Sequence, residues 1–274
     1  MFQPSRPTTT GALIFGMLEV TYHATVRKVR KNHGNAVMAI VMSVFQSVLF
    51  VAAFYLLFTL VPGARTMAIR GDFMLYLLTG IFMYLVHIQA LQAVMNSESA
   101  TSAMMQHAPM NTLVAILSSA FSVLYVKTVS LLVILFALHA IVEPVVLHDW
   151  AGAFMMYLLA WGTGCALGLI LMAAKPWAPD VVTIVQMVYV RANMIASGKM
   201  FVANMLPGMM IAMFDWNPLF HIIDQARGFT FVNYFPHHTN WEYPLYAMLF
   251  LLLLGMMAEF YTRKRASASW EARR

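Results

Sequence analysis

The sequence predicts an all-α integral membrane protein with six transmembrane helices, and three observations predict it. Of its 274 residues 61% are apolar and only 10% charged, against about 25% charged in an ordinary soluble domain. The mean hydropathy is +0.71. The apolar residues also fall into six long runs, each near or above the ~20 residues needed to cross a ~30 Å hydrocarbon layer.

The runs follow in chain order. Residues 36–61 carry no charge, and 73–95 hold only His87 as a titratable group. The tract 112–142 contains Lys127, and 151–174 is uncharged. The tract 181–213 contains Arg191 and Lys199, and 243–260 ends at Glu259. Two tracts, 112–142 and 181–213, exceed a single span, so each is expected to be a spanning helix plus a second element. The expected spans are about 36–61, 73–95, 117–142, 151–174, 181–198 and 243–260, in one domain covering 1–274. Ser197-Gly198-Lys199 and Pro207-Gly208 are the natural breaks of the fifth tract.

Charge sets the expected orientation. The net charge is +6, which here reads as a topology signal and not as a nucleic-acid footprint. With both termini on one face, eleven Lys/Arg fall on that face and four on the other. Bilayer orientation follows Lys/Arg in short loops, so both termini are expected in the cytoplasm. Trp150 and Trp177 flank the fourth span, as interfacial anchors do. Residues 12–20 do not read as a cleavable signal: the run is short, contains Glu19 and lacks a small-x-small site. Residues 10–30 read instead as a helix, with Leu13, Met17 and Val20 on one face and a cationic end at Arg27, Lys28, Arg30 and Lys31. That pattern suits either an interfacial helix on anionic lipid or a plain stop-transfer flank.

Several chemistries are missing. The chain has no G-x-x-x-x-G-K-[S/T] loop to cradle a nucleotide phosphate and no H-E-x-x-H for zinc. Ser197-Gly198 follows Ile195-Ala196, so no serine-protease elbow forms. One cysteine, Cys165, excludes a disulfide framework. His237-His238 with Glu242 leaves the remaining ligand of a metal site unseen, so no metal is assigned.

The polar and small residues inside the spans are the next candidates. Ala160, Gly164 and Gly168 recur at i, i+4, i+8 and let helix backbones approach closely, within one subunit or across a dimer. Lys127 at the centre of its tract is expected to snorkel to the cytoplasmic headgroups, the alternative being a hydrated cavity. Arg191, with Asn193 nearby, suggests a polar pathway or an interhelical pair. Phe45, Phe50, Phe54, Tyr55 and Phe58 in the first span can stack on sugar C–H faces or simply pack in the core or against lipid.

The stretch from Ser197 onward is distinctive. It runs Ser197-Gly198-Lys199-Met200-Phe201, then Leu206-Pro207, then Asn217-Pro218-Leu219-Phe220-His221-Ile222-Ile223-Asp224-Gln225-Ala226-Arg227. Pro218 holds Asn217 extended, so Asn217 is expected to cap a helix that begins at Pro218. His221, Asp224 and Arg227 then share one polar face, on which Asp224 and Arg227 are expected to pair with each other or across a dimer axis. These motifs resemble the ABC-2 type permeases that export capsular polysaccharide and related lipid-linked glycans. Asp224 stands where Glu is common in that family, and the tract after Pro109 lacks its usual Arg and Glu.

The resemblance implies a re-entrant extracytoplasmic helical segment over 199–235, between the fifth and sixth spans. It implies an exporter subunit of the bacterial inner membrane that is not itself an enzyme. No cofactor belongs to this chain; ATP and Mg would sit in two copies of a separate ATPase subunit. The remaining partners would be a second copy of this chain, membrane lipid, the glycan and periplasmic export proteins, with no nucleic acid. The interfacial helix over 10–30 and the segment 96–110 are the expected contacts to the ATPases. Alternatives are export of another amphipathic substrate (a lipid, a teichoic-acid-like polymer or a drug) and a non-transport intramembrane enzyme or scaffold.

Overall fold

A computed structural model describes residues 10–31, 35–60, 69, 73–97, 112–141 and 144–271. Every regular element among them is helical. The helices are α1 (Thr10–Lys31), α2 (Ala36–Leu60), α3 (Phe73–Met95), α4 (Thr112–Ile141), α5 (Trp150–Ala174), α6 (Pro179–Ala196), α7 (Gly208–Phe214), α8 (Pro218–Thr230) and α9 (Glu242–Glu271), with a 3-10 turn at Ala203–Met205 before α7. Most of the proposed contact segment 96–110 lies outside the described residues.

Five helices are long and apolar enough to cross a membrane: Val37–Phe58, Phe73–Met95, Thr112–Ile141, Trp150–Ala174 and Glu242–Arg265. Two sequence expectations change. The tract 112–142 is one unbroken helix of 30 residues, because no Gly or Pro interrupts it. The fifth tract yields no helix of that kind: α6 has 18 residues and carries Asp180 and Arg191. The chain breaks after it, where Gly198 takes φ +73.

The core is α3, whose side chains are buried along nearly its whole length. α5 lies beside it in parallel: His87 meets Ala160 and Thr163, while Leu91 meets Gly168. A Cβ at Gly164 would sit 2.3 Å from the His87 carbonyl oxygen, and one at Gly168 2.6 Å from that of Leu91. The small-residue stripe therefore packs α5 on α3 within one subunit, and Ala160 is fully buried. α9 runs parallel to α5 in turn, with Gly162 under Met248 and Gly255 under Leu169, and Thr262 donating to Ala173 at 2.9 Å. α2 runs antiparallel to α3, Phe50 stacking on Tyr84 and Phe58 meeting Phe73.

Since α5 and α9 are parallel, the chain between them must return along their length. α6 starts from the end where Trp177 donates to Thr262. α8 finishes at the other end, where His148 and Asp149 donate backbone N–H groups to Thr230 and Phe229. The return is thus made by two short helices that meet end to end, not by one long helix.

α1 forms over the residues predicted to be helical. It lies on α4 and α2, and among its described side chains Thr21 and Val29 are buried. Val20 is exposed, as are Phe15, Leu18 and Tyr22. Lys28 explains the choice of face: its ammonium donates to the Ser119 hydroxyl and the Ala115 carbonyl on α4.

Candidate functional site

The junction of α6 and α8 collects most of the polar residues singled out in the sequence. Asn217 is extended (φ −87, ψ 112), and its side chain accepts from the Leu219 N–H at 3.1 Å, capping α8 with Pro218 in the first turn. Its amide nitrogen donates to the Asn193 side chain at 2.8 Å and to the Ala196 carbonyl at 3.1 Å. Asn193 thus serves to join two half-helices.

The polar face of α8 exists, but it points inward. Asn217, His221, Asp224 and Arg227 are each at most 4% exposed. His221 Nδ1 accepts the Asn240 N–H at 3.2 Å, so Nε2 carries the proton and donates to the Asp215 carbonyl at 2.7 Å. The Asp215 carboxylate lies 3.1 Å from the same nitrogen. Asp224 accepts from the Tyr234 hydroxyl at 2.5 Å, the Thr239 hydroxyl at 2.8 Å and the Ala203 N–H at 3.3 Å. Burial and the neighbouring carboxylate push the Tyr234 phenol well above its ordinary pKa, so it stays a hydrogen-bond donor.

Arg227 is the largest fully buried side chain. Its guanidinium donates to the carbonyls of Gly198 (2.9 Å), Lys199 (2.7 Å) and Phe201 (2.5 Å) and sits 4.2 Å from the centre of the Tyr76 ring. Only the planar fork of arginine can serve three carbonyls at once while stacking on a ring. The expected pairing of Asp224 with Arg227 does not form. Arg227 ties 198–201, and Asp224 ties 234–239 and also reaches Ala203, so α8 is a spindle around which 198–203 and 234–240 are held. Gly198 supplies the left-handed turn, and a Cβ there would collide with Phe220 at 2.8 Å. Ser197 is fully buried, and its hydroxyl has no hydrogen-bond partner among the described residues. Pro207 opens α7, which bares Met209, Met213 and the following Trp216.

Two residues missed in the sequence complete the junction. Lys199 is 1% exposed, and its ammonium makes no hydrogen bond among the described residues. It lies among three rings instead, 4.8 Å from Phe50, 4.9 Å from Phe54 and 3.7 Å from Tyr84. Such cation–π contacts strengthen when desolvated. Gly80 makes the approach possible, since a Cβ there would lie 2.7 Å from the Lys199 carbonyl oxygen. The sequence signal for two of the three rings is the aromatic run in α2, for which sugar stacking, core packing and lipid contact were all open; the third ring, Tyr84, lies on α3.

Of the other candidates, only two aromatic residues join this junction. Phe50 and Phe54 belong to the Lys199 cage, while Tyr55 and Phe58 pack on Phe73. Of the five, Phe45 alone is exposed. Lys127 does not snorkel: it is 1% exposed and reaches the Ser47 hydroxyl at 3.4 Å, beside a Ser130–Ser43 hydrogen bond. Hydroxyls on the facing helix give it a local polar contact. Arg191 forms no interhelical pair among the described residues and lies exposed on α6. It continues a stripe of Ile184, Val188 and Ile195, each at least 60% exposed. His237 is bound to Asn204 by its ring and backbone. No group of three or more metal-ligating side chains occurs among the described residues.

No protein-family model matches this chain, and no curated protein matches it. The class defined on physical grounds is a multi-pass helical membrane protein with a broken return between two parallel helices.

Proposed function

We propose that this chain is the permease subunit of an ATP-binding-cassette exporter that moves a polysaccharide or lipid-linked glycan across the bacterial inner membrane. The observation that carries the reading is the outward face of α6. Arg191 sits in an exposed aliphatic stripe beside the broken return. An arginine facing lipid near the bilayer centre costs at least ~2.5–3.5 kcal/mol. A second copy of the chain facing this stripe across a hydrated path removes that cost. The pore would therefore lie between two copies.

The motif 197–227, which resembles glycan-exporting ABC-2 permeases, supports the reading because its residues form one bonded unit. In this account α6 and α8 line the fifth crossing together, with α8 the outward limb of a re-entrant extracytoplasmic gate over 199–235. Both termini are cytoplasmic, following the eleven-to-four Lys/Arg split. α1 lies at the cytoplasmic interface and receives the push of two ATPase subunits, which hold the ATP and Mg. Their closure tilts the spans as rigid bodies. Periplasmic export proteins take the polymer onward.

An ABC ATPase gene is expected beside the gene for this chain, and co-expression of the two is the test. The account expects a complex of two copies of each subunit, ATP hydrolysis by that complex and none by this chain alone. Robust hydrolysis by the isolated chain would falsify the reading.

A further inference from the structure

The inner ends of α1, α2, α3 and α4 enclose a cleft of about 700 Å³ that the junction does not use. Its lining includes Gln46 on α2 with Gln89 and Gln92 on α3. Gln89 and Gln92 are half-buried, and none of these three amides makes a side-chain hydrogen bond among the described residues. All three lie within helices long and apolar enough to cross a membrane. An amide at that depth is costly without a partner, because hydrocarbon offers none. Three such amides converging from two helices therefore mark a cleft that is kept wet or occupied.

The chemistry of the lining narrows the occupant. A glutamine amide offers both donors and acceptors, which matches vicinal hydroxyls that also do both. Phe45 forms part of the same wall and is 56% exposed, so a flat apolar face is available beside the amides. None of the described lining residues is acidic, and Lys28 contributes at the α1 side. We infer that this cleft binds the sugar head of an amphiphile, with hydroxyls on Gln46, Gln89 and Gln92 and a C–H face on Phe45. On the exporter reading, on which this inference rests for its role, it is the loading site within each subunit, separate from the path between copies.

A diazirine-bearing dodecyl maltoside tests this on the purified chain in phospholipid nanodiscs, with cross-linked peptides mapped by mass spectrometry. Labelling is expected on segments 43–49 and 89–96. Unlabelled dodecyl maltoside should suppress it, and octaethylene glycol monododecyl ether, which has the same tail and no sugar, should not. The double variant Gln89→Leu, Gln92→Leu should lose labelling about fivefold or more, the loss expected for two neutral hydrogen bonds. Ala93→Phe, which narrows the cleft and leaves the amides in place, should lose it too. Equal suppression by both amphiphiles, labelling elsewhere, or undiminished labelling in both variants overturns the inference. The readout needs no ATPase. Labelling without an ATPase complex would leave the site standing and remove the exporter reading, and the converse would remove the site alone.

Discussion

Arg227 and Asp224 lie three residues apart on α8 and form no ion pair: the guanidinium holds the carbonyls of Gly198, Lys199 and Phe201, and the carboxylate holds Tyr234, Thr239 and the Ala203 N–H. The two charges therefore act as separate ties: Arg227 holds the loop before α7, and Asp224 holds the loop after α8 as well as Ala203. Losing either leaves buried groups without partners.

The charge swap Asp224→Arg with Arg227→Asp is accordingly expected to rescue nothing. Arg227→Ala should lower stability by about 3 kcal/mol, the scale for charged hydrogen bonds lost in a buried site. Arg227→Lys should recover little, because an ammonium cannot span three carbonyls in one plane. Thermal unfolding of the detergent-purified variants measures this. A swap variant as stable as the parent would show that the residues do pair.

Gly80 is expected to tolerate no side chain. Gly80→Val should cost about 1–3 kcal/mol, since the atoms in the way are backbone atoms of Lys199. Gly208→Ala is the control, with open space around its Cβ. The same unfolding assay compares them, and equal midpoints would contradict the close approach described.

The ammonium of Lys199 is enclosed by ring faces and makes no hydrogen bond among the described residues. Lys199→Met should keep the packing of the apolar stem and leave stability unchanged or raised, whereas Lys199→Glu should destabilise, because ring faces repel an anion. A chain that unfolds as readily with Met as with Glu would show that the charge itself holds the loop.

These positions show what the sequence could reveal. Helices α2, α3, α4, α5 and α9 were legible because spanning length and apolar composition are local properties. The breaks at Ser197-Gly198 and Pro207-Gly208 were legible for the same reason, as was the Asn217-Pro218 cap. The three-residue spacing of Asp224 and Arg227 suggested a pair, yet each found partners 10 to 29 positions away in sequence, which spacing on one helix cannot reveal. Lys127 was expected at a headgroup because the facing serines, Ser43 and Ser47, lie about 80 residues away on another helix. A helix stands where the fifth span was expected, Pro179–Ala196 against 181–198, but it is not among the five that are long and apolar enough to cross a membrane.

Orientation is open to direct measurement. In a Cys165→Ala background, His238→Cys should react with a membrane-impermeant maleimide in intact spheroplasts, and a cysteine at position 3 only after lysis. Residue 238 suits this because it is exposed. Reaction at 238 only after lysis would invert the topology.

The shared path is expected to leave a cross-linking signature on α6. Val188→Cys, one turn before Arg191 on the exposed stripe, should give disulfide-linked dimers in native membranes. Tyr157→Cys, buried inside the subunit, should give none. Monomers only at position 188 would leave the stripe facing lipid.

The most direct measurement of the central claim uses inverted inner-membrane vesicles that carry this chain, its ATPase and a radiolabelled lipid-linked glycan. The account predicts that the glycan becomes protected from added glycosidase only when ATP and both subunits are present. Protection without the ATPase, or none with the complete complex actively hydrolysing ATP, would contradict it.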